Sequence, residues 1–203
     1  SSGNLDWVAE GHCDGIFSES RKLCWSSDGQ SLFEGKASIR CWNINNLTDV
    51  KSEPIDVTFS YCPAYYRNGK EMLIGHNDGT FVLLDLQTGY RVKSWIADPP
   101  TALTAVAMSP DGKKVATGHK EGRVSVYEFA SGRRLWTQEV AKEQDHFCLR
   151  GVCWSPDGAV LACQGPGYTF RLRDAETGEE QAVVNTGGWA GSAIDLVGKV
   201  VVV

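Results

Sequence analysis

Ser109-Pro110-Asp111-Gly112 and Ser155-Pro156-Asp157-Gly158 are two copies of one four-residue text, each set between short apolar runs. Val106-Ala107-Met108 precedes the first copy and Val115-Ala116-Thr117 follows it. Val152-Cys153-Trp154 and Val160-Leu161-Ala162 flank the second. Proline sets φ for the first bend of a tight turn, and glycine takes the positive φ that closes it. Each copy therefore reads as strand, turn, strand.

Weaker copies appear on either side. Ser26-Ser27-Asp28-Gly29, Arg67-Asn68-Gly69 and Leu196-Val197-Gly198 keep the glycine, and the five glycines stand about 40, 43, 46 and 40 residues apart. That period belongs to stacked repeat units. A second turn follows as His76-Asn77-Asp78-Gly79 and His119-Lys120-Glu121-Gly122, then a third strand over Thr80 to Asp85 and Arg123 to Glu128. A third turn reads Gln87-Thr88-Gly89, Ala130-Ser131-Gly132 and Glu176-Thr177-Gly178, and a fourth strand comes after each. The fold class is all-β, in units of four short antiparallel strands, with no helical period. A lone sheet of this size cannot bury both faces, so the units must stack. The repeats fall at 11–50, 51–96, 101–140 and 147–184, with a half repeat at 189–203, all in one domain. Residues 4–10 read as a fourth strand without a unit of its own.

The chain has 203 residues, a net charge of −5, 42% apolar residues and 22% charged residues. This is the balance of an ordinary globular domain. No apolar run is long enough for a membrane helix, and no secretory signal is visible. The mild acidity argues against wholesale binding of nucleic acid or acidic lipid. Seven cysteines (13, 24, 41, 62, 148, 153 and 163) form no CxxC, and their number is odd. A reducing compartment, cytoplasm or nucleus, is expected. Cys24, Ala64, Ala107 and Cys153 share one repeat position, which predicts a small buried strand site rather than a reactive thiol.

The sequence carries no P-loop, GxSxG or HExxH text, and its four histidines lack metal-ligand spacing. His76 with Asp78, and Asp145 with His146, are the close His–acid pairs, and neither comes with a nucleophile that can be placed. No catalytic residue, cofactor or metal is expected. Gly165-Pro166-Gly167 reads as a turn. Arg133, Arg134, Arg171, Arg173, Lys113 and Lys114 alternate with acids and read as solvated surface.

The 40-odd-residue period, the Ser-Pro-Asp-Gly turns, the Gly11-His12 opening and the endings Trp42-Asn43, Leu84-Asp85, Tyr127-Glu128 and Arg173-Asp174 resemble the WD40 repeat family. The resemblance covers about residues 5–203. It implies a β-propeller with about four and a half blades in this chain, completed by further chain or a partner or, as the alternative, closed as a compact four-blade ring with a degenerate tail, with residues 4–10 as the ring-closing strand. The Gly-His opening appears once, and the acid of the second turn only as Asp78 and Glu121. The His–Asp–Ser/Thr–Trp bonds that tie such blades are thus incomplete, and packing is expected to carry more of the load. In this family the second turns and the connections between units line a face where partners bind. The residues so assigned are His76, Asn77, Asp98, Pro99, Pro100, His119, Lys120, Gln144, Asp145, His146 and Trp189. The implied function is a non-catalytic platform for other proteins or peptides within a larger protein or complex. A ribonucleoprotein subunit is the alternative, and a propeller-based enzyme the weaker third.

Overall fold

The computed structural model describes residues 22–25, 31–35, 39–43, 48–49, 60–65, 70–85, 88, 90–140, 149, 151–166, 168–185, 195–197 and 200–202. Its strands make four four-stranded sheets and one two-stranded sheet. The first sheet holds β1 (Lys22–Trp25), β2 (Ser31–Gly35), β3 (Ile39–Asn43) and β4 (Thr48–Asp49). The second holds β5 (Ser60–Tyr65), β6 (Glu71–His76), β7 (Thr80–Asp85) and β8 (Arg91–Ile96). The third holds β9 (Leu103–Met108), β10 (Lys114–His119), β11 (Arg123–Glu128) and β12 (Arg134–Glu139). The fourth holds β13 (Val152–Trp154), β14 (Val160–Gly165), β15 (Thr169–Asp174) and β16 (Glu180–Asn185). β17 (Asp195–Val197) pairs with β18 (Val200–Val202). Strand order within each sheet is sequence order, with antiparallel neighbours. No helix occurs among the described residues. Residues 4–10 and Gly11-His12 lie outside them.

The two Ser-Pro-Asp-Gly turns are built alike. Ser109 Oγ donates to Asp111 Oδ1 at 2.7 Å and accepts from Lys114 N at 2.8 Å. Ser155 does the same with Asp157 at 2.5 Å and Val160 N at 2.9 Å. Gly112 and Gly158 close the turns at φ 72° and 73°. The short side chains satisfy backbone donors that the reversal of the chain leaves unpaired. These bonds hold the Asp111 carboxyl below its usual range, Ser109 contributing most. The third turns use Asp174 similarly, taking the N–H groups of Glu176 and Thr177 at 2.9 Å each. In the fourth unit the second turn departs from the others: Tyr168 stands at φ 62°, where Gly79 and Gly122 stand in the units before.

Stacking explains the burial. In β6 and β7 of the second sheet, and β10 and β11 of the third, residues on both faces are buried. Outer strands β8 and β16 are largely exposed. One apolar cluster runs through three sheets, from Leu73, Phe81 and Trp95 through Val115, Val126 and Tyr127 to Val152, Trp154 and Leu161. β1, β5, β9 and β13 touch in succession, so the first strands share the inside of the stack. Cys153 is buried beside Ala162, whereas Ala107 is only partly buried. Burial pushes the Cys163 thiol up to about 11, which leaves it inert.

Polar ties between units do exist, carried by residues other than the expected set. Trp136 Nε1 donates to Ala175 O at 3.1 Å, and Trp154 Nε1 to Ala107 O at 3.2 Å. Lys114 pairs with Glu176 across the third and fourth sheets. A register shift follows Leu83, Val126 and Leu172 at the same place in three sheets. Such bulges re-aim the next side chain. At that next position Tyr127 accepts a bond from Asp98 N at 3.2 Å, and Arg173 donates to Glu139 O at 3.1 Å. Both reach back to the end of the preceding unit.

Candidate interaction surface

The connection from β8 to β9 crosses the end of the stack and is held at every step. Ala97 N donates to Gly79 O at 2.8 Å, which ties the connection to the turn of its own unit. Asp98 N reaches the Tyr127 hydroxyl, and Arg134 bonds the Asp98 carbonyl and pairs with its carboxylate at 3.1 Å. The Asp98–Pro99 peptide is cis. Thr101 N donates to Pro99 O at 2.9 Å, and Lys120 N to Ala102 O at 2.9 Å. A Cβ on Gly79 would stand 2.8 Å from the Pro100 backbone, so the second-unit turn and the connection are packed together. The turn itself is drawn tight by Asp78, which takes the Thr80 N–H at 2.8 Å and its hydroxyl at 2.6 Å. The hydroxyl bond is the main reason the Asp78 carboxyl titrates below its usual range.

These links bring Asn77, Asp98, Pro99, Pro100 and Lys120 onto one surface. Asn77, Asp98, Pro100 and Lys120 are exposed there and Pro99 is half-buried. Asp78 and Glu121, also exposed, belong to the same surface, although sequence reading did not single them out as contact residues. Their place in the sequence is the signal that points to them, since each follows Asn77 or Lys120 directly in the same turn.

Two assignments are corrected. His76 and His119 end β6 and β10 with their side chains inside, 4% and 0% exposed. His119 Nδ1 lies 2.8 Å from Thr101 Oγ1 and Nε2 lies 3.0 Å from Thr117 Oγ1. The ring braces the connection from beneath and cannot meet a partner. Burial drives its pKa down to about 4, with Arg123 and Arg134 adding to the effect, so it is neutral at pH 7. Among the basic residues read as solvated surface, Lys113 and Arg133 are exposed, and the correction falls on Arg173. Arg173 is buried at 5% exposure, and Arg134, Arg171 and Lys114 pair with Asp98, Glu180 and Glu176. Gln144, Asp145, His146 and Trp189 lie outside the described residues. No group of three or more His, Cys, Asp or Glu that could hold a metal occurs among the described residues.

Residues 91–128 match the family described as "WD domain, G-beta repeat". The chain carries a WD40 repeat. The matched stretch runs from β8 through β11, so the WD40 repeat is offset from the sheet by one strand. Serine-threonine kinase receptor-associated protein of Gallus gallus is 24% identical over 177 residues, covering 85% of this chain and 46% of that protein. WD repeat-containing protein 3 of Mus musculus is 27% identical over 156 residues, covering 71% of this chain and 16% of that one. A chain of the crystal structure of the mitotic checkpoint complex superposes with a TM-score of 0.66 at 18% identity, over 81% of this chain and 50% of that one. The fold is a β-propeller of WD40 type, and the chain spans half or less of the length of these proteins.

The Tyr127 hydroxyl offers a direct check on how the surface is held. Tyr127→Phe removes the acceptor of Asp98 N and should cost about 1 kcal/mol in urea unfolding. Packing of the ring is unchanged by that substitution.

Proposed function

We propose that this chain is a non-catalytic interaction platform, part of a larger protein or a multi-subunit complex. The observation that carries this reading is the surface over Asn77–Gly79, Asp98–Thr101 and Lys120–Gly122. Buried bonds fix its backbone from beneath while its outward side chains stand exposed. A loop already fixed loses little freedom when a partner binds, so more of the contact energy appears as affinity. Its mixed charge, with Asp78, Asp98 and Glu121 beside Lys120, suits a protein or peptide better than a nucleic-acid backbone. WD40 relatives generally serve as protein-interaction scaffolds, and this supports the reading. Remaining blades would come from further chain or from a partner. Cytoplasm or nucleus is the compartment that fits the free thiols of Cys153 and Cys163.

Photo-crosslinkers at Asn77, Pro100 and Lys120 test the surface against crosslinkers at Asp111 and Glu176 in the turns between strands at other sites. The first three should capture a common protein partner that persists after nuclease treatment and in high salt, and Lys120→Glu should reduce the yield. Release of the captured material by nuclease would overturn the reading in favour of a ribonucleoprotein role.

A further inference from the structure

We propose a second binding site, at the outer rim: a groove along β8 that takes an extended acidic peptide as an added strand. The inference goes beyond the platform reading, because it concerns the edge of β8, which meets the surface of turns only at Asp78 and Thr80. A cavity of about 530 Å³ is lined by Asp78, Arg91, Ser94, Trp95, Ile96 and Gly132 among others, with the one carboxylate, Asp78, at the end where the groove meets the second turn. This is the size range of ligand sites. Among the described residues β8 is last in the order of its sheet, so no described strand pairs with its outer backbone edge. An unpaired edge is a template for a further strand.

Three features choose the occupant. First, Ile96 and Val92 are 66% and 53% exposed on β8, while β12, its counterpart in the next unit, exposes no large apolar side chain. Alternate apolar side chains of an added strand would cover Ile96 and Val92. Second, Trp95 is 7% exposed, and its Nε1–H has no hydrogen-bond partner. Trp136 and Trp154 both donate theirs to carbonyls. The unpaired indole edge stands on the cavity wall beside Gly132, where an incoming carbonyl or carboxylate oxygen would satisfy it after a small shift. Third, the exposed part of β8 carries Arg91 and Lys93 in a chain whose net charge is −5. Lys93 Nζ lies 5.0 Å over the Trp95 ring, which keeps a positive charge at the groove. Cations, an unpaired donor and exposed apolar side chains along a strand edge call for a partner with main-chain groups, carboxylates and alternate apolar residues.

The test uses the full chain and three fluorescein-labelled hexapeptides in anisotropy titrations: alternating Glu-Val, alternating Lys-Val, and Glu-Val with every second amide N-methylated. The first should bind, and the other two should bind at least about tenfold more weakly. Ile96→Asp, at an exposed position, should weaken the Glu-Val peptide by about tenfold while the far-UV spectrum stays unchanged. In ¹⁵N-labelled protein the Trp95 indole N–H signal, assigned with Trp95→Phe, should move as peptide is added. Absence of Glu-Val binding, full affinity in Ile96→Asp, or an unmoved Trp95 signal would overturn the site. Displacement of the peptide by inorganic phosphate or oligouridylate at equal concentration would overturn it as a peptide groove. None of these outcomes touches the crosslinking result on the surface of turns, so the two readings fail separately.

Discussion

Gly178→Ala is expected to lower stability by about 2–5 kcal/mol in urea unfolding, and the loss has two separable parts. Gly178 sits at φ 75°, where a Cβ costs about 1–2 kcal/mol. That Cβ would also stand 2.7 Å from Trp136 Cε3 and 2.8 Å from Cδ2. Trp136 cannot retreat without straining its bond to Ala175 O, so overpacking adds about 1–3 kcal/mol. Gly158 provides the control. Its φ is 73°, but an added Cβ meets only Pro110 Cδ, at 3.6 Å, an ordinary contact. Gly158→Ala should therefore show the backbone cost alone, about 1–2 kcal/mol. The difference between the two variants measures how tightly the third unit presses on the fourth. Equal losses would mean that the third turn of one unit is not wedged against the outer strand of its neighbour.

Stability is expected to decline as pH falls from about 6.5 towards 4 through the buried ring of His119. Its folded-state pKa is about 4, below the ordinary 6.5, because burial penalises the charged ring. Between those values the unfolded chain binds a proton that the folded chain refuses. The contribution is therefore complete above about pH 6.5 and shrinks on acidification. By pH 4 the loss is about 3 kcal/mol, a large share of the ordinary stability of a domain. Burial sets the sign and the nearby cations Arg123 and Arg134 reinforce it, while the Thr101 and Thr117 hydroxyls meet the two ring nitrogens. His119→Gln should flatten the profile between pH 6.5 and 4. Asp78, Asp111 and Asp174 act in a lower window, since their carboxyls are held below the usual value and are protonated only at more acid pH. An unchanged pH profile in His119→Gln would place the acid sensitivity elsewhere.

Local chemistry was legible in the sequence and distant chemistry was not. The Ser-Pro-Asp-Gly turns could be read because every bond in them lies within five residues. The four-strand unit followed from the spacing of such turns. His119 was misjudged because it was grouped with the turn it precedes. Alternation along β10 could not have corrected this, because the strand is buried on both faces and its register shifts between Gly118 and His119; the ring's partner Thr101 lies 18 residues away. The roles of Tyr127 and Arg173 were hidden for another reason. They bond residues 29 and 34 positions away, and nothing near them in sequence names the partner. The Trp95 edge was equally hidden, since its neighbours come from two different units.

Tyr127 and Arg173 occupy one place in two sheets, yet the first receives a hydrogen and the second gives one. The blades are thus keyed in order, like parts machined in pairs. Transplanting the fourth in front of the third would set the Arg173 guanidinium against the Asp98 N–H, donor against donor, so these two blades cannot trade places at this seam.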